Sequence, residues 1–156
     1  MEMTPKLFQQ LLRPITAFCA GRDLDDDLAA QLAERFPPDG NTFLAIRRAC
    51  QDAVAAGWMC DREQGGIRYG RVIKPGPDSE GFSVDVVHME EVAGPHHRHP
   101  NGEIDLVMPL TPGAQFDGHG AGWVVYPPDS AHPPTVSGGA ALVLYLLPDG
   151  AIEFTR

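Results

Sequence analysis

The stretch 94–110, "GPHHRHPNGEIDLVMPL", decides how the second half of the chain is read. His96, His97 and His99 fall within four positions and make up half of the six histidines. On a strand, residues two apart share a face, so His97 and His99 point together and His96 points the other way, toward solvent. Pro100-Asn101-Gly102 is turn chemistry. Glu103 then opens a second strand of short apolar character. Two imidazoles and a carboxylate thus reach one point from two adjoining strands.

The segments on either side of this stretch follow the same period of two. "GIRYGRVIK" (66–74), "FSVDVVHM" (82–89), "GWVVYPP" (122–128) and "ALVLYLL" (141–147) are rich in Val, Leu and aromatic residues, with Gly, Pro, Asp or Ser at their borders. Such spacing predicts an antiparallel sandwich or barrel. "TPGAQFDGHGAG" (111–122) and "LLPDGAIEF" (146–154) read as hairpin-like connections. "YPPDSAHPP" (126–134) ends a strand in a Pro-rich turn and presents His132.

Before residue 64 the period is near 3.6. In "TPKLFQQLLRPITAFCAG" (4–21), Leu7, Leu11, Leu12, Ile15 and Phe18 recur at three- and four-residue steps. Thr4 is the predicted N-cap with Pro5 at the first helical position, Pro14 is a candidate kink, and Gly21 is the stop. "LDDDLAAQLAERF" (24–36) puts aspartates in a first turn, where the helix dipole favours them. "NTFLAIRRACQDAVAAGWM" (41–59) predicts a third helix capped by Asn41 or Thr42 and ended by Gly57. The fold class expected is α+β over one domain, 1–156: a helical part at 1–63 and an antiparallel β-barrel at 64–156.

Composition narrows the functions. The chain has 156 residues, 43% of them hydrophobic, and a formal net charge of -9 with twelve Lys and Arg. That balance opposes a phosphate-tracking surface, so no nucleic-acid partner is expected. No apolar run approaches the ~20 residues of a membrane span. Cys19, Cys50 and Cys60 form no CxxC pair and no disulfide framework, and read as buried thiols in a reducing, cytoplasmic compartment.

Three neutral imidazoles and one carboxylate, His97, His99, His132 and Glu103, suit a divalent transition metal such as Fe, Mn, Zn, Co, Ni or Cu, with positions open for water or substrate. Asp105 shares Glu103's face and is a candidate to orient an imidazole or move a proton. Tyr69 and Arg71 share one strand face, with Arg71 suited to a carboxylate and Arg68 facing away. Tyr145 is either a core aromatic or a phenol aimed at a ligand. His88 and His119 have no spacing argument.

"HRHPNGE" (97–103) resembles the first motif of the cupins, and "PPDSAH" (127–132) the second, with Pro127 and His132 in register. Asp129 stands where that motif has glycine; Leu110 and Val136 stand where trailing glycine and asparagine are usual. The resemblance implies a small β-barrel with a metal held inside by His97, His99, Glu103 and His132. Over most of the chain, "YGRVIKP", "GFSVDVV", "HRHPNGEIDLVMPL", "GWVVYPPDSAH" and "ALVLYLLPDGAIEF" resemble the 4-hydroxylaminobenzoate lyase family. The family implies conversion of 4-hydroxylaminobenzoate to protocatechuate and ammonium in nitroaromatic degradation. Glu103 and Asp105 are then the expected proton-handling residues, Arg71, Tyr69 and Tyr145 the expected contacts of a small aromatic carboxylate, and a homodimer the expected assembly. Two other functions share this ligand set: an Fe or Mn dioxygenase of cupin type, and a metal- and ligand-binding sensor without catalysis.

Overall fold

The computed structural model describes residues 2–155. Three helices come first: α1 (Pro5–Cys19), α2 (Asp26–Arg35) and α3 (Asn41–Ala56). The side chain of Thr4 accepts the N–H of Leu7 and that of Asp25 accepts the N–H of Leu28, so two helices begin on side-chain caps. Pro14 lies inside α1, which nevertheless runs unbroken from Pro5 to Cys19. The third cap differs from expectation. Gly40, not Asn41 or Thr42, is the N-cap of α3 and gives no side-chain bond, whereas Gly57 ends the helix at φ 90° as expected. Among the described residues, no helix is long and apolar enough to cross a membrane.

The strands are β1 (Arg62–Gln64), β2 (Ile67–Ile73), β3 (Phe82–Ala93), β4 (His97–His99), β5 (Glu103–Pro109), β6 (Gln115–Phe116), β7 (Gly122–Tyr126), β8 (Ser130–His132), β9 (Thr135–Pro148) and β10 (Glu153–Phe154). They form two antiparallel sheets. The large sheet runs β1-β2-β3-β9-β5-β7, with β6 also on β9; the small sheet runs β10-β4-β8. Hydrogen bonding does not close them into a barrel. The sheets face one another as in a jelly roll, the cupin-like antiparallel architecture expected for 64–156.

Strand alternation sorts the large sheet into two faces. Ile104, Leu106 and Met108 of β5, Leu142, Leu144 and Leu146 of β9, and Val84 and Val86 of β3 join the core beneath the helices, with Phe8, Leu12, Ile15, Leu32 and Ile46. Each such aliphatic side chain contributes about 1.5–3 kcal/mol by leaving water. The opposite, inner face carries Met89, Val107, Phe116, Val124, Val143 and Tyr145. Trp123 fastens α2 to β7: its Nε1–H donates to Phe36 O at 2.9 Å, and its ring lies 6.5 Å from that of Phe36. The helices back the large sheet and leave its inner face to the site.

Candidate metal centre

The turn between β4 and β5 brings the first donors together. Gly102 sits at φ 86°, and a Cβ there would meet Tyr126 O at 2.8 Å and Leu24 Cδ2 at 2.8 Å, so both conformation and space select glycine. His97 and His99 are 3% and 0% exposed and face inward from β4, and Glu103 opens β5 at 1%. His132 arrives from β8, whose register pairs His97 with His132 and His99 with Ser130. Asp129, in the glycine position of the second motif, adopts φ 66°. Aspartate tolerates that left-handed conformation better than most residues. Its N–H donates to His99 O at 2.8 Å and its carboxylate pairs with Arg98, so the departure from glycine preserves the turn.

One donor atom from each of His97, His99, Glu103 and His132 lies within 4.8 Å of the others. Nε2 of His97 is 3.7 Å from Glu103 Oε1, while Nε2 of His99 and of His132 are 3.3 and 3.5 Å from Oε2. Donors held about 2.0–2.3 Å from one ion in tetrahedral array sit at about this mutual spacing. Three Nε2 atoms and Glu103 Oε2 are buried with no hydrogen-bond partner. Each orphaned atom would cost about 1–3 kcal/mol if nothing met it. The outer nitrogens, in contrast, are occupied: Nδ1 of His97 faces Pro95 O at 3.3 Å, that of His99 faces Ser130 Oγ at 2.9 Å, and that of His132 faces Asp117 Oδ2 at 2.5 Å. A donor set with bonded outer nitrogens and bare inner ones fits a divalent transition metal.

The electrostatics follow from burial and these contacts. Burial pushes His99 down to about 4, with Glu103 acting against it. Burial also lowers His132, but the hydrogen bond to Asp117 and the neighbouring Glu103 carboxylate outweigh it and raise the group to about 9. Glu103 ends below the ordinary carboxylate range, because the neighbouring His132, His97 and Asp105 groups overcome its burial. Burial and then the Glu103 charge push Asp105 well above that range.

The other residues singled out from sequence take varied places. Asp105 shares the inner face with Glu103, as alternation predicts, and is 0% exposed with neither oxygen partnered. It bonds no imidazole, which corrects the expectation that it orients one. Tyr145 is 6% exposed among the inner-face residues, with Tyr69 packed on the same cluster. Register aligns Arg71 with Asp85, Asp85 with Tyr145, and Tyr145 with Asp105, a row across four strands. Arg71 is already paired within it: Nε and Nη2 donate to Asp85 at 2.8 and 3.2 Å, and Nη2 also reaches Gly150 O at 3.3 Å. His96 lies outside the cluster, half-buried and bonded to the Thr155 hydroxyl. His119 is exposed. Cys19, Cys50 and Cys60 are free and buried.

Asp117 escaped the sequence reading. Its Oδ2 accepts both the Tyr126 hydroxyl and His132 Nδ1–H at 2.5 Å, and its Oδ1 accepts the Thr135 N–H at 2.9 Å. The only local signal was Asp-Gly in a hairpin, which reads as turn chemistry.

Facing antiparallel sheets, with His-x-His and Glu on a strand pair and a third histidine on a returning strand, define a cupin. Comparison with known proteins narrows this. The family model described as PnbB, 4-hydroxylaminobenzoate lyase, matches residues 10–154. A 4-hydroxylaminobenzoate lyase of Nocardioides sp. (strain LMS-CY) is 34% identical over 142 residues, covering 85% of this chain and 84% of its own. One of Pseudomonas putida is 34% identical over 140 residues, covering 79% and 80%. The chain belongs to the 4-hydroxylaminobenzoate lyase family and is an enzyme of that kind. Among solved structures, similarity extends to the DMSP lyase DddQ from Ruegeria pomeroyi DSS-3 (TM-score 0.48, 21% identity, 97% of this chain and 98% of that one). It also extends to an RmlC-like cupin protein of Ralstonia eutropha JMP134 (TM-score 0.46, 13% identity, 60% and 62%).

Proposed function

We propose that this enzyme is a metal-dependent lyase that converts 4-hydroxylaminobenzoate, or a related aryl hydroxylamine, with water to protocatechuate and ammonium. The observation that carries the proposal is the set of four buried, unpartnered donor atoms, in a chain of this family. His97, His99, His132 and Glu103 would hold the ion. When bound, a divalent metal supplies Lewis-acid polarisation of an oxygen and acidifies bound water.

The rest of the work falls to the chain. The overall change breaks the N–O bond, the ring C–N bond and the ring C–H bond beside it, and forms a C–O bond at each of those two carbons; one water is consumed net, the nitrogen leaves as ammonia, and there is no net redox change. The departing oxygen needs a proton, and the attacking water must lose one. Glu103 is engaged as a ligand, which leaves Asp105 to move the proton, its unpartnered oxygens lying on the same inner face. Tyr145 and Tyr69 flank the ring and, with Met89, Val143 and Phe116, exclude bulk water. The nitrogen end enters from the His132 side, where the ligand is 12% exposed against 4% or less for the other three. The carboxylate lies toward Arg71, whose Nη1 takes no part in the bonds to Asp85 and Gly150. The test is ammonium release from 4-hydroxylaminobenzoate by chelator-treated and metal-restored enzyme, with and without oxygen. Turnover that needs the metal but not oxygen is expected. Turnover undiminished by complete metal removal would refute the proposal.

A further inference from the structure

The three histidine donors differ in how they are held. Burial and the rigid β4–β5 turn constrain His97 and His99. His132 lies on a three-residue strand, is followed by Pro133 and Pro134, and is the most exposed of the donors. Something must fix its ring, because a free imidazole can present either nitrogen. A metal-bound ring carries a single proton, so a strong acceptor at Nδ1 keeps the proton there and leaves Nε2 as the lone-pair donor.

Asp117 is built to be that acceptor. Its backbone N–H donates to Thr135 O at 2.8 Å while its Oδ1 accepts the Thr135 N–H at 2.9 Å. This double clasp ties it to the chain just past His132. Its φ of 49° turns the hairpin so that the carboxylate points back toward the site. Oδ2 then receives two donors, His132 Nδ1–H and the Tyr126 hydroxyl. The Tyr126 ring lies 4.5 Å from the His132 ring and 5.6 Å from the His99 ring. One oxygen therefore fixes both a donor and the aromatic wall packed on two donors. It also joins β7 of the large sheet to β8 of the small one. The partners of the other two rings, Pro95 O and Ser130 Oγ, are uncharged.

We infer that Asp117 is the positioning residue of the metal centre: it selects the Nδ1–H tautomer of His132 and pins Tyr126 as a wall, with its hydroxyl committed to Asp117 rather than to substrate. The inference rests on the metal proposal above, and goes beyond the donor set to the group that orders it. Tyr126 consequently has no free phenol proton to give the reaction. Charged partners of metal-bound histidines typically matter by about 10–100-fold in metal affinity.

Nitrogen-resolved NMR of the zinc-loaded full chain, with zinc affinity by calorimetry, tests this directly. In wild-type protein His132 should bind zinc through Nε2 and show a slowly exchanging Nδ1 proton. Asp117→Asn should keep the far-UV spectrum, bind zinc about 10–100-fold more weakly, and lose the protected His132 proton while the His97 and His99 signals persist. Tyr126→Phe removes one donor from Oδ2 and should leave the His132 tautomer intact. Zinc bound through His132 Nδ1 in the wild-type protein overturns the inference even if Asp117→Asn fails to fold. So does a folded Asp117→Asn with wild-type affinity and an unchanged His132 signal. Wild-type protein that takes up no zinc or other first-row divalent ion overturns the metal proposal as well.

Discussion

Metal should stabilise this protein by an amount that can be set in advance. His97, His99, His132 and Glu103 present four buried atoms with no partner, so the folded chain carries their desolvation until an ion meets them. The unfolded chain does not hold these groups together, since His132 is 29 residues beyond Glu103 (132 less 103). An ion that binds only the folded form adds RT ln(1 + [M]/Kd), about 4.1 kcal/mol at a thousandfold excess over Kd. For a chain of 156 residues each kcal/mol moves the melting temperature by about 2–4 °C. Calorimetric melting of chelator-treated protein, with and without saturating divalent ion, should therefore differ by about 8–16 °C under those conditions. His97→Ala, His99→Ala and His132→Ala should each remove most of the increment. His96→Ala should retain it, because His96 bonds Thr155 outside the cluster. Equal melting with and without metal, or an increment lost in His96→Ala but kept in His97→Ala, would refute the reasoning.

Arg71→Ala should weaken use of the benzoate substrate by tens to hundreds of fold while sparing an uncharged phenylhydroxylamine and the metal content, read as kcat/KM for both substrates. That is the lower part of the effect of breaking a buried charge pair, about 2–5 kcal/mol, because the Arg71 side chain is 35% exposed. Ile104→Ala empties a fully buried site under the helices and should cost about 2–5 kcal/mol in urea unfolding. For His88, burial and then Arg68 hold the imidazole below its ordinary 6.5, against Glu90. The folded form thus binds its proton less readily than the unfolded one. Its contribution is present above pH 6.5 and lost as pH falls toward the lowered folded value, so His88→Gln should flatten the stability profile of metal-free protein below pH 6.5.

Local chemistry made much of this legible in sequence. Thr4, Pro5 and Gly57 act on neighbours a few residues away, and the structure uses them as read. Alternation in β5 placed Glu103 and Asp105 on one face without knowledge of what lies opposite. The convergence of His97, His99, Glu103 and His132 needed only two short motifs, each contained in a turn. What stayed hidden depends on pairing between distant strands. Asp117 resembles any hairpin aspartate until β8 and β9 return beside it, bringing His132 and Thr135 to its carboxylate. Arg71 looked free because Asp85 meets it only through the β2–β3 register. The helix cap at Gly40 went unread for a different reason: glycine gives no side-chain bond, while the polar Asn41 beside it suggested one.

The alternation of β5 has a consequence for how such a chain can change over generations. Glu103, Asp105 and Val107 face one way while Ile104, Leu106 and Met108 face the other, on a single seven-residue strand. A slip of one residue would turn the carboxylates into the helical core and the aliphatics toward the donors. Folding and function therefore share one frame here, and inheritance cannot loosen one without the other. His132, on a short strand away from that core, carries no such double duty.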